Sequence, residues 1–267
     1  MKQRDFRTSI IITSYNHRGY LIEAIEGVLN QTVAPHEILV ADDASSDGSR
    51  ELIRSYEKKY PGLVKGVFQE NNVGIPKNRN AALRVVTGNY VSILDGDDLF
   101  LPYKLERQFH ALREHPDASV VYSNFNIVDI HRKPLAVRWS RPQPEGNIFP
   151  EVAKIKTGML RTLVADYQAV KRVGFMDERF PKWDGLWLSI KLAATCRFAY
   201  VNKVLLEKRN HPTSDSKSNT SREHLHDLIG IYGELSPLLS THANTQERQQ
   251  IDTAWQQLIS RLTPSEK

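Results

Sequence analysis

The chain has 267 residues, 40% of them hydrophobic and 25% charged, with a net charge of +5. That suits one large globular domain with a core of its own and a small appended segment. No apolar run approaches the ~18–20 residues that a membrane span needs. The N-terminus lacks the apolar core of a signal peptide, and the single cysteine, Cys196, excludes an internal disulfide or a thiolate metal cluster, so a cytoplasmic home is expected.

Ser9-Ile10-Ile11-Ile12-Thr13 is the β-branched run of a buried parallel strand, broken by Ser14-Tyr15-Asn16-His17. Leu21, Ile25, Val28 and Leu29 then make one helical stripe. Residues 37–41 form a second strand that ends in Asp42-Asp43, and Ser46 or Asp47 is placed to cap the helix carrying Leu52, Ile53 and Tyr56. Residues 64–68 are a third strand. Pro76 opens the next helix, with Ala81, Ala82, Leu83, Val85 and Val86 as its apolar positions and Gly88 as its stop. Residues 90–94 are a fourth strand, running into the acid cluster Asp95-Gly96-Asp97-Asp98. Like charges this close disfavour one another, so the cluster is either a divalent metal site or a strand-to-helix turn with a capping aspartate, and the residues alone weigh these evenly. Residues 102–115 are helical and 119–122 a fifth strand. Strands alternating with helices of this length predict an α/β fold with a mostly parallel sheet, whose strand ends bind the ligand.

Beyond residue 122 the pattern loosens. Residues 125–129 and 135–139 are expected as an antiparallel pair, 151–164 as a helix weakened by Gly158, and 167–173 as a short helix. Residues 185–194 form a buried helix and 197–206 a strand, while 211–222 read as polar and mobile. The tail from 223 carries one or two amphipathic helices anchored by Leu225, Leu228, Ile229, Tyr232, Trp255, Leu258 and Ile259. Packing on the domain is their default; dimerisation or a peripheral membrane contact are the alternatives.

Four separated stretches, 9–17, 40–48, 71–83 and 87–98, stand in the order found in the inverting family-2 glycosyltransferases, and the chain resembles that family. The resemblance is strong over 8–115 and weaker over 155–212. It implies a GT-A fold, Rossmann-like, with a small antiparallel acceptor-side portion. The catalytic domain would span 1–222, divided into a nucleotide-sugar half (8–122) and an acceptor-side half (123–222), with a helical tail at 223–267. It also implies transfer of a sugar, with inversion, from a nucleoside diphosphate donor to a glycan or lipid-linked acceptor. A UDP-sugar is favoured, and nucleic acid is not an expected partner.

Residue by residue, Thr13 and Tyr15 lie at the donor site, where the tyrosine ring either stacks on the base or is a half-buried core residue. The resemblance puts Asp42 at the base, leaves Asp43 to the ribose or the local turn, and offers Arg79 to a phosphate, although a solvated helix-face arginine is the plainer reading. Asp95, Asp97 and Asp98 match the metal-binding motif, with Asp97 at ribose or metal, Asp98 as the favoured direct ligand, Asp95 shaping the turn, and Mn2+ or Mg2+ as the ion. His211 follows as a further metal contact, with a surface-loop histidine equally open. The family's general base falls in 180–188, where its usual Glu-Asp pair is absent and Asp184 is the acid that inherits the role, N-capping being the alternative.

Three rivals carry less. A sugar-phosphate nucleotidyltransferase wants a Gly- and Arg-rich loop after the first strand, which 13–16 lacks, and no Gly-x-Gly-x-x-Gly supports a dinucleotide oxidoreductase. A non-catalytic binder of anionic glycan or nucleic acid would show salt-sensitive binding without a metal requirement.

Overall fold

The structure is a computed structural model in which residues 5–155, 158–212 and 221–263 are described. The chain runs β1 (Thr8–Ser14), α1 (Arg18–Leu29), β2 (Glu37–Asp42), α2 (Ser49–Lys59), β3 (Val64–Phe68), α3 (Ile75–Leu83), β4 (Tyr90–Asp95), β5 (Leu99–Phe100) and α4 (Lys104–Glu114). It continues through β6 (Ala118–Val128), β7 (Pro134–Val137), α5 (Phe149–Ala153), a 3-10 turn (Leu160–Thr162), β8 (Val164–Asp166), α6 (Tyr167–Arg172), α7 (Asp184–Thr195), β9 (Arg197–Arg209), α8 (Ser221–His242) and α9 (Thr245–Leu262).

These strands form one sheet in the order β3-β2-β1-β4-β8-β6-β9-β5, with β7 beside β6. β3, β2, β1 and β4 are parallel, and the chain reverses direction across the sheet between β1 and β4. Such a switch point leaves a crevice beyond the carboxyl ends of the strands. β8 is antiparallel to both neighbours, β4 and β6, whereas β6 and β9 are parallel over a long, irregular register. The fold is α/β, of the GT-A kind.

Alternation along β1 divides the interior. Ile10 and Ile12 join the α1, α2 and α4 side, with Leu21, Ile25, Ile53 and Leu105. Ile11 joins the opposite side, with Leu39, Ile93, Trp187, Leu228 and Trp255. This is the period-2 geometry of a strand buried on both faces. The tail helices therefore pack into the core of the sheet's second face, and Trp255 is pinned there by its Nε1–H donating to Ala153 O at 2.7 Å.

Several expectations are corrected. The strands expected at 119–122 and 125–129 are one strand, β6. The helix expected over 151–164 is α5, then the 3-10 turn, then the start of β8, with 156–157 outside the described residues. From Val164 the chain is drawn into the sheet as β8, between β4 and β6, so the helix cannot reach the end expected for it. α3 ends at Leu83, leaving Val85 exposed. Gly48, at φ 88°, is the residue before α2, and Asp47 instead accepts from Ser49 N–H at 3.0 Å. Ile229 faces solvent, and Ile231 and Leu235 are buried on α8 in its place. Most of 211–222 lies outside the described residues.

Candidate active site

Register brings the acidic strand ends together. Ser14 of β1 is level with Asp42 of β2, and Thr13 is level with Asp95 of β4, so the two aspartates flank the end of the central strand. Asp42 is fully buried. Its Oδ1 accepts from Ser45 N–H and from Arg50 Nε, each at 3.0 Å, while Oδ2 has no partner among the described residues. Asp43 is committed to the local turn, accepting from Val73 N–H at 2.7 Å and Gly74 N–H at 2.9 Å.

The loops after β1 and β2 lock together. Asn16, in the left-handed region at φ 54°, donates its N–H to Ser45 Oγ at 2.8 Å, and its Oδ1 accepts from Ser46 N–H at 2.9 Å. Asparagine tolerates that backbone because its short polar side chain bonds locally. The rim so built presents Tyr15 with 47% of its surface exposed.

In the acid turn, Gly96 is obligatory: a Cβ there would stand 2.7 Å from Thr13 O, the atom that its own N–H binds. The turn feeds β5, which pairs antiparallel with β9 at Leu206 and Glu207, and that pairing carries Arg209 and His211 to the aspartates. His211 is buried with Nε2 2.9 Å from Asp97 Oδ2. His17 lies edge-on to it at 6.1 Å between ring centroids, with its Nδ1 buried and unpartnered among the described residues.

The other two aspartates are engaged within the protein. Asp95 Oδ1 accepts from Thr13 Oγ1 at 3.2 Å and from Arg79 Nη2 at 2.6 Å, and its Oδ2 accepts from Arg161 Nη1. The two guanidiniums hold its carboxyl well below the usual carboxylate range despite burial. Asp98 Oδ1 accepts from Arg209 N–H at 2.9 Å and Oδ2 from Arg161 Nη1 at 2.7 Å. Burial, with Asp97 and Asp95 alongside, pushes the Asp98 carboxyl up to about 7 against the opposing effect of Arg161.

Arg79 does not point at open solvent. It is buried, with Nη2 on Asp95 and Nη1 on Asp184 Oδ2 at 2.8 Å, and so ties residues 105 apart in sequence. Asp184 begins α7; its Oδ1 accepts from Gly185 N–H at 2.7 Å. Burial raises the Asp184 carboxyl above its ordinary range, and Arg79 works against that rise.

The structure thus gathers Thr13, Arg79, Asp95, Asp97, Asp98, Asp184 and His211 around one centre, sets Asp42 and Tyr15 at the neighbouring strand end, and turns Asp43 to the loop. Sequence reasoning missed Arg161, Arg50 and His17; the last stands in the quoted first motif, but the other two have no local pattern to announce them.

The donor chemistry fits a divalent ion. Ligating atoms of His17, Asp97 and His211 all lie within 4.8 Å of one another, as do those of Asp95, Asp97 and Asp98. Imidazole and carboxylate together suit Mn2+ and similar ions, whereas carboxylates alone also suit Mg2+.

Comparison with known proteins accords with this geometry. Residues 9–156 match the model of glycosyl transferase family 2. The chain is 38% identical over 217 residues to the putative teichuronic acid biosynthesis glycosyltransferase TuaG of Bacillus subtilis, covering 80% of this chain and 84% of that one. It is 34% identical over 122 residues to an uncharacterized protein of Mycobacterium tuberculosis, of whose length it spans 35%. In fold it is similar to residues 1–349 of S. aureus TarS in complex with UDP-GlcNAc, with a TM-score of 0.72 at 18% identity over 96% of this chain and 72% of that one. It is similar also to the mannosyltransferase PcManGT of Pyrobaculum calidifontis in complex with GDP-Man and Mn2+, with a TM-score of 0.65 at 17% identity over 99% of this chain and 77% of that one. The architecture is therefore one shared with glycosyltransferases. The chain belongs to glycosyl transferase family 2.

Proposed function

We propose that the protein is an inverting glycosyltransferase that moves a sugar from a nucleoside diphosphate donor, UDP-sugar favoured, to an acceptor hydroxyl, with Asp184 as general base. The observation that carries this reading is the Arg79 bridge between Asp95 and Asp184. It fixes a buried carboxylate in one frame with the acid cluster, so the group that takes the acceptor's proton is held against the group that faces the donor. The raised affinity of Asp184 for a proton suits a base, and Arg79 keeps the ionised form accessible. Inversion needs only this one base and no covalent intermediate.

On the donor side, Asp42 Oδ2 is offered to a pyrimidine N–H and Tyr15 to the face of the base, while Thr13 and Asp95 hold each other beneath the ribose and diphosphate. A divalent ion, Mn2+ or Mg2+, would be held by Asp97 and His211, with His17 in reach. When bound, it supplies positive charge to the departing diphosphate. Asp98, expected as a direct ligand, accepts hydrogen bonds from Arg161 and from Arg209 N–H. The teichuronic acid role in the name of TuaG supports a glycan or lipid-linked acceptor, received on the 123–222 side. Residues 8–122 would bind the donor, and the 223–267 tail would buttress the domain, its described helices packing in the core. Among the described residues no helix is long and apolar enough to cross a membrane.

Calorimetry with UDP, GDP and dTDP, with and without Mn2+, tests this. The expected result is metal-dependent binding of one nucleotide. Binding that is indifferent to both nucleotide and metal but falls with salt would replace the enzyme reading with that of an anion-binding module.

A further inference from the structure

The acid cluster carries a cation of its own. Arg161, on the 3-10 turn, donates through Nη1 to Asp95 Oδ2 and Asp98 Oδ2 together. With Thr13, Arg79 and Arg209 N–H on the remaining oxygens, every carboxylate oxygen of Asp95 and Asp98 already accepts at least one hydrogen bond. Asp97 alone of the three turns to a metal-ligating side chain, His211.

The turn that bears Arg161 is gripped from beneath. Ser92 Oγ donates to Leu163 O at 2.5 Å, and Gln108 Nε2 donates to Thr162 O at 2.6 Å, so the two carbonyls that follow Arg161 are both held. Lys104 joins the holders, its Nζ donating to Ser92 Oγ at 3.2 Å and to Gln108 Oε1 at 2.6 Å. Thr162 Oγ1 adds a bond to Met159 O at 3.1 Å and accepts from Ser123 N–H at 3.3 Å. Lys104 and Gln108 are each 0% exposed, and burial drives the Lys104 ammonium well below the usual lysine range. A lysine and a glutamine sealed in a core are costly unless their bonds are made, and here the bonds made fix one short turn. Neither the donor site nor the base requires them directly.

We propose that Arg161 is a positioning residue that acts as internal counterion to Asp95 and Asp98, withholding both from the divalent ion and leaving Asp97 and His211 as its anchors, and that Ser92, Lys104 and Gln108 hold Arg161 in that role. This rests on the metal-assisted reading above. Its consequence is an order of binding: the protein alone holds the ion weakly, and the donor's diphosphate oxygens supply the ligands that Asp95 and Asp98 do not.

The test is titration of Mn2+ alone, and of Mn2+ with UDP or GDP, into the full-length protein and its variants, followed by calorimetry and by the electron paramagnetic resonance signal of free Mn2+. Arg161→Met is expected to tighten binding of Mn2+ alone by about tenfold or more, since removing one unit charge beside a dication is worth that even under water-like screening. Arg161→Lys should stay near wild type. Gln108→Glu, which keeps the bond from Lys104 but repels Thr162 O, should tighten Mn2+ binding less, and should add nothing when combined with Arg161→Met. A merely structural role predicts the opposite sign, because a loosened site loses metal. Unchanged or weaker Mn2+ binding in Arg161→Met with its melting temperature retained overturns the proposal. Should Arg161→Met not fold, Arg161→Gln and Gln108→Glu give the same reading. If the wild type binds no Mn2+ even with either nucleotide, the metal-assisted reading fails and this proposal falls with it, an outcome the wild-type arm identifies by itself.

Discussion

The two sides of the site are built on different principles. On the donor side, Asp42 and Asp95 stand where they do because β2, β1 and β4 are parallel strands in fixed register, and each aspartate is the last residue of its strand. On the other side, Asp184 opens a helix, Arg161 sits on a 3-10 turn, and His211 follows the end of β9. These three reach the centre through side-chain bonds to Arg79, Asp95, Asp98 and Asp97 rather than through a ladder. The backbone therefore places the donor groups, and ion pairs place the rest. Substitutions on the two sides should fail in different ways: donor-side changes in affinity and selectivity, bridge-side changes in turnover and its dependence on pH and metal.

The largest effect expected is at Asp184. Asp184→Asn should lower turnover by about 10²–10⁴-fold, the usual contribution of a positioned general base. Nucleotide affinity should survive, and a coupled decline in both would erase the contrast between the two sides. His211→Ala comes next. It should remove most of the gain in nucleotide affinity that Mn2+ confers, on the order of 10–100-fold, leaving metal-free binding alone; equal losses with and without Mn2+ would instead mark a packing defect. Asp42→Asn should cost a uracil nucleotide about 1–3 kcal/mol of binding, because a carboxylate oxygen awaiting a donor becomes an ambivalent amide. The readout is the ratio of UDP to GDP affinity, and an unchanged ratio would move base recognition elsewhere.

The smallest effect sharpens the bridge itself. Asp184 must be ionised to take a proton; burial raises its pKa and Arg79 lowers it. The acid limb of the rate profile should thus lie above the ordinary aspartate range. Arg79→Lys keeps the charge but cannot span both carboxylates, so the limb should move upward by a fraction of a unit, with activity restored as pH rises. A limb that stays put would separate Arg79 from the base.

Much of the donor side was legible in the sequence, because short apolar runs ending in aspartate suit buried parallel strands whose carboxyl ends meet a ligand, although the acid turn taken alone fits a capped turn equally well. The bridge side was less so. Asp184 and His211 come into view only through the family resemblance, and Arg161 lies in a stretch whose apolar spacing suggests a helix, whereas the structure has a 3-10 turn there ahead of β8. The sequence leaves Arg79 either to a phosphate or to a solvated helix face, because its helix position shows nothing of partners 16 and 105 residues away. β5, with two residues, is too short to leave a pattern, yet its pairing with β9 delivers His211. Long-range ion pairs and tertiary strand pairing have no local signature, and they are what the sequence withheld.

The central claim is most directly tested by release of nucleoside diphosphate from a panel of UDP-, GDP- and dTDP-sugars incubated with the protein and Mn2+. The account predicts release from one nucleotide class, abolished by chelation of the metal and in Asp184→Asn. Release from no donor, or release unchanged by chelation and by that substitution, would contradict it.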